Sequence, residues 1–172
     1  MKRSVDGKPT AADSTELGSV LDFMRLLWAL DHGLQMSSRR MESQLGVTGP
    51  QRMAIRMVGR FPGISAGELA SLLHVHPSTL TGVLKRLEQR GLVNRSADPR
   101  DGRRARFSLT PTGQEIDTVK SGTVEAAVKL GLENVTSQKM KTTQEVLRVL
   151  IDALTPDLDA EANRQDEHPG EA

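Results

Sequence analysis

At 172 residues the chain is long enough to bury a real core, as one compact domain or one with a helical extension. Phe23, Trp28, Phe61 and Phe107 are its only aromatic residues, so Leu, Val, Ile, Met and Ala must fill that core, a composition that favours helices. Cysteine is absent, which excludes disulfides, zinc thiolate sites and thiol redox chemistry, and no apolar run approaches the roughly 20 residues of a membrane span.

The net charge of +1 hides an uneven distribution. Between Lys85 and Arg106 eight basic side chains face three acids, a net of +5, whereas from Pro156 to Ala172 six acids face Arg164, a net of −5. A basic segment of this kind is the footprint of a phosphate-binding surface. Residues 1–13 mix Lys, Ser, Gly and Pro without periodicity and read as a disordered arm, whose Lys2, Arg3 and Lys8 either touch phosphates or merely solubilise the chain. The arm lacks the apolar core of a signal peptide, so a cytoplasmic location is expected.

From Glu16 to about Leu45, Leu17, Val20, Leu21, Met24, Leu27, Trp28, Leu34, Met41 and Leu45 recur at intervals of three and four, predicting one long helix with a possible bend at Gly33. Such a helix needs cover from another helix of this chain or of a second subunit. Thr48 and Gln51 form a capping box opening a helix over Pro50 to Arg60, with Met53, Ala54, Met57, Val58 and Phe61 inward. Ser65 and Glu68 form a second box, starting a two-turn helix whose Leu69, Leu72 and Leu73 face the core.

After the turn His74-Val75-His76, the stretch PSTLTGVLKRLEQR from Pro77 to Arg90 places Leu80, Val83, Leu84 and Leu87 on one helical face. Pro77 suits the first turn, and Gly91 supplies the left-handed stop. The opposite face is small, polar and basic. Hydroxyls of Ser78, Thr79 and Thr81 can reach base edges or phosphates, Lys85 and Arg86 supply charge, and Gly82 permits close backbone approach to a DNA groove. A short helix, a tight turn and this second helix make a helix-turn-helix.

Two β-capable stretches, Leu92 to Arg95 and Ala105 to Leu109, flank a turn containing Asp98, Pro99, Asp101 and Gly102, which predicts a two-stranded hairpin beside that helix. Arginine on a narrow hairpin can enter the minor groove, where the potential is most negative. Asp98 and Asp101 then pair with neighbouring arginines and hold the hairpin, leaving Arg103 or Arg100 to insert, with Arg104 beside them. Thr110-Pro111 opens a helix expected to run to about Leu132 on Ile116, Val119, Ala126, Ala127 and Leu130. A last helix covers roughly Ser137 to Leu154, with Met140, Leu147, Leu150, Ile151 and Leu154 inward.

The run HPSTLTGVLKRLEQRGLVNRSADPRDGRRARFSLTPTGQE, within Val47 to Glu115, resembles the MarR (multiple antibiotic resistance regulator) family of winged helix-turn-helix transcription factors. The resemblance rests on RLEQRGLV ending the recognition helix, the DPRDGRR wing and LTPTG opening the next helix; the long flanking helices match by pattern. It implies a mainly α fold with a two-stranded β-wing, divided into the arm (1–13), a dimerisation helix (14–46), the winged helix-turn-helix (47–110), C-terminal dimerisation helices (111–155) and an acidic disordered tail (156–172). It further implies a homodimeric regulator in the bacterial cytosol or nucleoid that binds a pseudo-palindromic operator, represses, and is released by a small aromatic or phenolic ligand. Arg103 matches the family's minor-groove arginine and Asp101 its supporting aspartate, while Ser78, Thr79 and Lys85 lie where members touch DNA. Thr81, Arg86 and Arg95 fall where some members contact an aromatic carboxylate. The missing cysteine departs from the peroxide-sensing branch.

From the residues themselves, Trp28, Asp31 and His32 with Arg56 or Arg60 offer an aromatic wall and a cation for an anionic aromatic guest, although Trp28 on the apolar stripe reads first as core or dimer packing. His74 and His76 have an H-x-H spacing but no third ligand nearby, so no metal or other cofactor is expected. No nucleophile elbow, phosphate loop or paired-carboxylate site points to an enzyme. Two other readings remain: a winged protein-interaction module, and a DNA-binding regulator without a small-molecule ligand.

Overall fold

The computed structural model describes residues 18–101 and 104–155. The arm, the acidic tail, Gly102 and Arg103 lie outside the described residues. In chain order the elements are α1 (Ser19–Leu45), α2 (Gly49–Arg60), β1 (Ile64–Ser65), α3 (Ala66–Leu73), α4 (Pro77–Gln89), β2 (Val93–Ala97), β3 (Ala105–Leu109), α5 (Pro111–Thr118), α6 (Val124–Leu132) and α7 (Ser137–Leu154). The chain divides into two compact units, the first ending at Met36 and the second beginning at Ser37. No described helix is long and apolar enough to cross a membrane.

In the first unit the described residues are helical throughout from Ser19, including Gly33. The expected apolar stripe is mostly uncovered: Val20, Leu21, Met24 and Leu34 are exposed, Trp28 is 69% exposed, and Leu27 is half-buried.

The helices of the second unit begin at local caps. Thr48 Oγ1 accepts the Gln51 N–H at 3.4 Å while Gln51 Oε1 accepts the Thr48 N–H at 3.1 Å, so two of the N–H groups that a helix start leaves without partners are satisfied. Ser38 Oγ, two turns before the end of α1, accepts the Gly49 N–H at 2.7 Å. The Ser65/Glu68 box is closed in both directions at 3.2 and 2.8 Å. The Ser65 backbone N–H, its largest influence, helps hold the Glu68 carboxyl below the usual range. The core these caps position contains Val47, Ala54, Ile55, Val58, Leu69, Leu80, Leu84, Leu87, Leu92, Val93 and Phe107.

Several expectations need correction. The buried face of α2 is centred on Ile55 and includes Arg52, so Met53 and Phe61, expected inward, are exposed, and Leu72 of α3 is exposed as well. The expected two-stranded wing is present as β2 and β3, and β1 adds to it by pairing antiparallel with β3 (Ile64↔Phe107, Ser65↔Arg106), giving the order β1-β3-β2. The helix expected from Pro111 to Leu132 is two helices. Val119 is extended, Gly122 takes φ 71°, and Thr123, itself buried, restarts the helix by accepting the Ala126 N–H at 3.2 Å. Helices α6 and α7 bury no residue within this chain, and Leu154, expected inward, is 75% exposed.

The LTPTG motif has a structural reason. Thr110 Oγ1 donates to the Gly91 carbonyl at 2.6 Å and accepts the Gly113 N–H at 3.0 Å, joining the start of α5 to the end of α4. A Cβ at Gly113 would sit 2.0 Å from the Leu92 carbonyl oxygen, a backbone atom that cannot turn aside. Gly113→Ala is therefore expected to destabilise the domain by at least about 2 kcal/mol, read as a lowered urea midpoint, whereas an unchanged midpoint would mean that α5 moves away without cost.

Candidate nucleic-acid interface

The connection into α4 uses both histidines of the H-x-H spacing. His74 ends α3 in the left-handed region (φ 50°), with its own N–H on Ser71 O and the Val75 N–H on Ala70 O, a Schellman arrangement. His76 caps α4, its Nδ1 accepting the Ser78 N–H at 3.2 Å and lying 2.6 Å from Ser78 Oγ. The capping role requires the lone pair on Nδ1 and the ring proton on Nε2. Among the described residues no cluster of three or more metal-ligating side chains occurs.

Leu80, Leu84 and Leu87 anchor α4 in the core, and Ser78, Thr79, Thr81, Lys85 and Arg86 are exposed on the other side. Thr81 Oγ1 donates back to the Pro77 carbonyl at 2.9 Å, so its hydroxyl proton is committed within the helix. A Cβ at Gly82 would meet nothing within 4 Å. Nothing in the protein therefore requires glycine there, and the backbone is open to an outside surface. The helix stops where Gly91 takes φ 66°, with Leu92 N–H on Leu87 O and Gly91 N–H on Glu88 O, both at 2.9 Å.

The hairpin that follows pairs Val93↔Leu109, Arg95↔Phe107 and Ala97↔Ala105. Its tip is organised by carboxylates. Asp98 Oδ1 accepts the Arg100 N–H at 2.8 Å, Asp98 Oδ2 lies 2.8 Å from Arg106 Nε, and the Asp98 N–H donates to Arg104 O at 2.8 Å. Asp101 Oδ2 is 3.6 Å from Arg104 Nε, an exposed pair of small energetic value that gives Arg104 a partner inside the wing. The Arg100 side chain is exposed; Arg103 lies outside the described residues. Arg106, counted in the sequence only as charge, also donates to the Gly63 carbonyl at 3.4 Å and so ties the hairpin to the chain before β1.

Behind the helix-turn-helix, Arg52 is 2% exposed, and its guanidinium donates to the carbonyls of Ile116, Asp117 (3.3 Å) and Val119 (2.8 Å) and to Glu125 Oε1 (2.7 Å). Burial pushes the Glu125 carboxyl up, and the Arg52 hydrogen bond together with the Arg52 and Arg56 charges more than reverses this, leaving it below the usual range. Arg56 donates to Asp117 Oδ1 at 2.7 Å. Arg52, Arg56, Asp117, Val119 and Glu125, with Lys120 and Lys129, line an open cavity of about 680 Å³. Of the expected ligand residues, Arg56 belongs to this cavity. Arg60 lies over the Phe61 ring at 5.9 Å, and Thr81, Arg86 and Arg95 are exposed on α4 and β2. Trp28 and His32 are exposed on the first unit. Sequence reasoning missed Arg52, the capping role of His76, weighed only as half of an H-x-H pair, and the ties made by Arg106. For Arg52 the available signal was a charge three positions before Ile55, on what proves to be a buried face.

Residues 47–105 match the MarR family. An HTH-type transcriptional repressor of Mycobacterium tuberculosis is 32% identical over 108 residues, covering 63% of this chain and 78% of the relative. The crystal structure of the MepR–DNA complex of S. aureus superposes with a TM-score of 0.66 at 17% identity, over 77% of this chain and 97% of that one. The PcaV transcriptional regulator from Streptomyces coelicolor, solved with its natural ligand, gives 0.64 at 21% identity, over 83% and 99%. The chain belongs to the MarR family and is a winged-helix transcriptional regulator, not an enzyme.

The lowered pKa of Asp98, caused first by the Arg100 N–H and then by Arg106, has a definite pH consequence. A carboxyl depressed in the folded state contributes stability above its unfolded pKa and loses it as pH falls through the lower, folded value. The expected outcome is that the Asp98 carboxyl, followed by NMR, titrates below the ordinary aspartate range and that the Arg100 amide shift moves with it. Titration at the ordinary value would mean that the Asp98 turn is not held in solution.

Proposed function

We propose that the protein is a homodimeric repressor in the bacterial cytosol that binds a pseudo-palindromic operator and is released by a small aromatic or phenolic anion. The observation that carries the DNA-binding reading is α4 itself: a leucine-anchored helix whose outward strip is hydroxylic and basic, with Gly82 open to the outside, beside an arginine-bearing wing on the same unit. Ser78, Thr79, Thr81, Gly82, Lys85 and Arg86 meet the major groove, and Arg100 and Arg103 the minor groove, with Arg104 near the backbone and Asp98 and Asp101 supporting the turn. Dimerisation is supported by the uncovered apolar side chains of α1, α6 and α7, such as Leu26, Leu30, Leu130, Val149 and Leu154, which a monomer would leave in water. Two copies would set their recognition helices about 34 Å apart, one turn of the duplex.

The inducer reading draws on the cavity at Arg56, Lys120 and Lys129, and on PcaV having been solved with a natural ligand. A ligand that prefers a dimer with wrongly spaced lobes shifts the population off DNA. Because the chain has no cysteine, release by direct thiol oxidation is excluded.

The operator reading is tested by gel shift on DNA upstream of the gene, with two substitutions. Gly82→Ala adds a methyl that touches nothing in the protein, so the fold should gain up to about 1 kcal/mol while operator affinity drops. Arg103→Ala should weaken binding with the dimer intact and reduce the salt slope by roughly 1. Weak, sequence-indifferent retention of the unmodified protein would favour the interaction-module reading. The inducer reading is tested by thermal shift: at least one phenolic acid should raise the melting temperature and lower operator affinity together, and failure across a broad panel at millimolar concentration would favour a regulator without a ligand.

A further inference from the structure

The break between α5 and α6 is held by a side chain from elsewhere. Arg52 of α2 donates to the carbonyl of Ile116, which also accepts the Val119 N–H at 3.2 Å, to those of Asp117 and Val119 at and just past the end of α5, and to Glu125 in the first turn of α6. One guanidinium thus grips the chain on both sides of the turn at Gly122. The near side of the break is tied to the recognition helix, since Thr110 and Gly113 fasten α5 to Gly91 and Leu92, directly after α4. Beyond it lie α6 and α7, which bury no residue in this chain and leave Val128, Leu130, Val149 and Leu154 exposed.

We propose that Arg52 is a positioning residue for operator recognition: by closing the end of α5 and holding Glu125, it fixes the direction in which α6 leaves the DNA-binding lobe, and through the dimer it sets the separation of the two recognition helices. The proposal rests on the homodimeric operator-binding reading. Charge alone would not suffice for this role, because Arg56 already stands 2.7 Å from Asp117 and 3.9 Å from Glu125. What Arg52 adds is a planar fork with five donors, able to serve three carbonyls and a carboxylate at once; lysine offers the charge from a single point.

The experiment measures binding of the full-length protein, Arg52→Lys and Glu125→Gln to operators whose half-site spacing is varied by roughly two base pairs either way. Sedimentation records the dimer and circular dichroism the fold. The unmodified protein should prefer one spacing. Arg52→Lys, still dimeric and helical, should lose at least about tenfold in affinity for that spacing and have a flattened or displaced preference. Glu125→Gln keeps the carbonyl grip and should move the preference the same way by less, so it carries the test if Arg52→Lys does not fold. A spacing preference that survives in every folded variant, even with a lowered melting temperature, overturns the proposal, because a merely structural residue would behave in that way. If the unmodified protein itself shows no operator preference, the operator-binding reading fails and this proposal falls with it, a result distinguishable from the previous one.

Discussion

The burial of one face of α4 is the constraint on which the remaining structure depends. Leu80, Leu84 and Leu87 share the core with Ile55, Val58 and Leu69, and each such side chain contributes roughly 1.5–3 kcal/mol when removed from water. Because successive helical residues are separated by about 100°, rotating α4 by a single position would expose these leucines and bury Lys85 or Ser78. The cost of that rotation fixes which side chains face outward. The helix is also pinned at both ends: His76 closes its start, and Gly91 allows the reversal into Leu92, which is buried again. The outward strip is thus a consequence of core packing before any partner arrives.

The charges around that strip follow a second rule. Basic residues dominate from Lys85 to Arg106, yet acids within the segment keep the wing in shape. Asp98 engages one arginine through its backbone N–H and another through its guanidinium, and Arg106 carries the connection on to Gly63. An aspartate near a phosphate-binding surface is electrostatically unfavourable in isolation. Here it orders a turn of otherwise repelling arginines, and the Arg100 N–H and Arg106 that it engages hold its carboxyl below the usual aspartate range. Arg52 follows the same logic in the interior, where a buried guanidinium is tolerable because carbonyls and a carboxylate surround it.

What was legible in the sequence was local. Both capping boxes, the Pro starts at Pro77 and Pro111 and the Gly91 stop are encoded within a few residues, and each took the expected form. The failures were of longer range. The amphipathic pattern carries straight across Val119 to Thr123 and masks the local signals of the α5–α6 break, Gly122 and the Thr123 cap, while Arg52, which occupies the carbonyls there, stands more than sixty positions earlier. In α2 the stripe of Met53, Met57 and Phe61 competes with that of Ala54, Ile55 and Val58, and only packing decides between them. The spacing of α6 and α7 is amphipathic, yet within this chain Leu130, Leu147 and Leu154 are exposed and Met140, Leu150 and Ile151 only half-buried.

The most direct test of the account is hydroxyl-radical footprinting of the protein on its operator. Two protected patches on each strand, separated by about one helical turn and related by the symmetry of the site, are predicted. A single patch, or uniform protection independent of sequence, would contradict the account, because it would show that the outward faces of α4 do not act as a spaced pair.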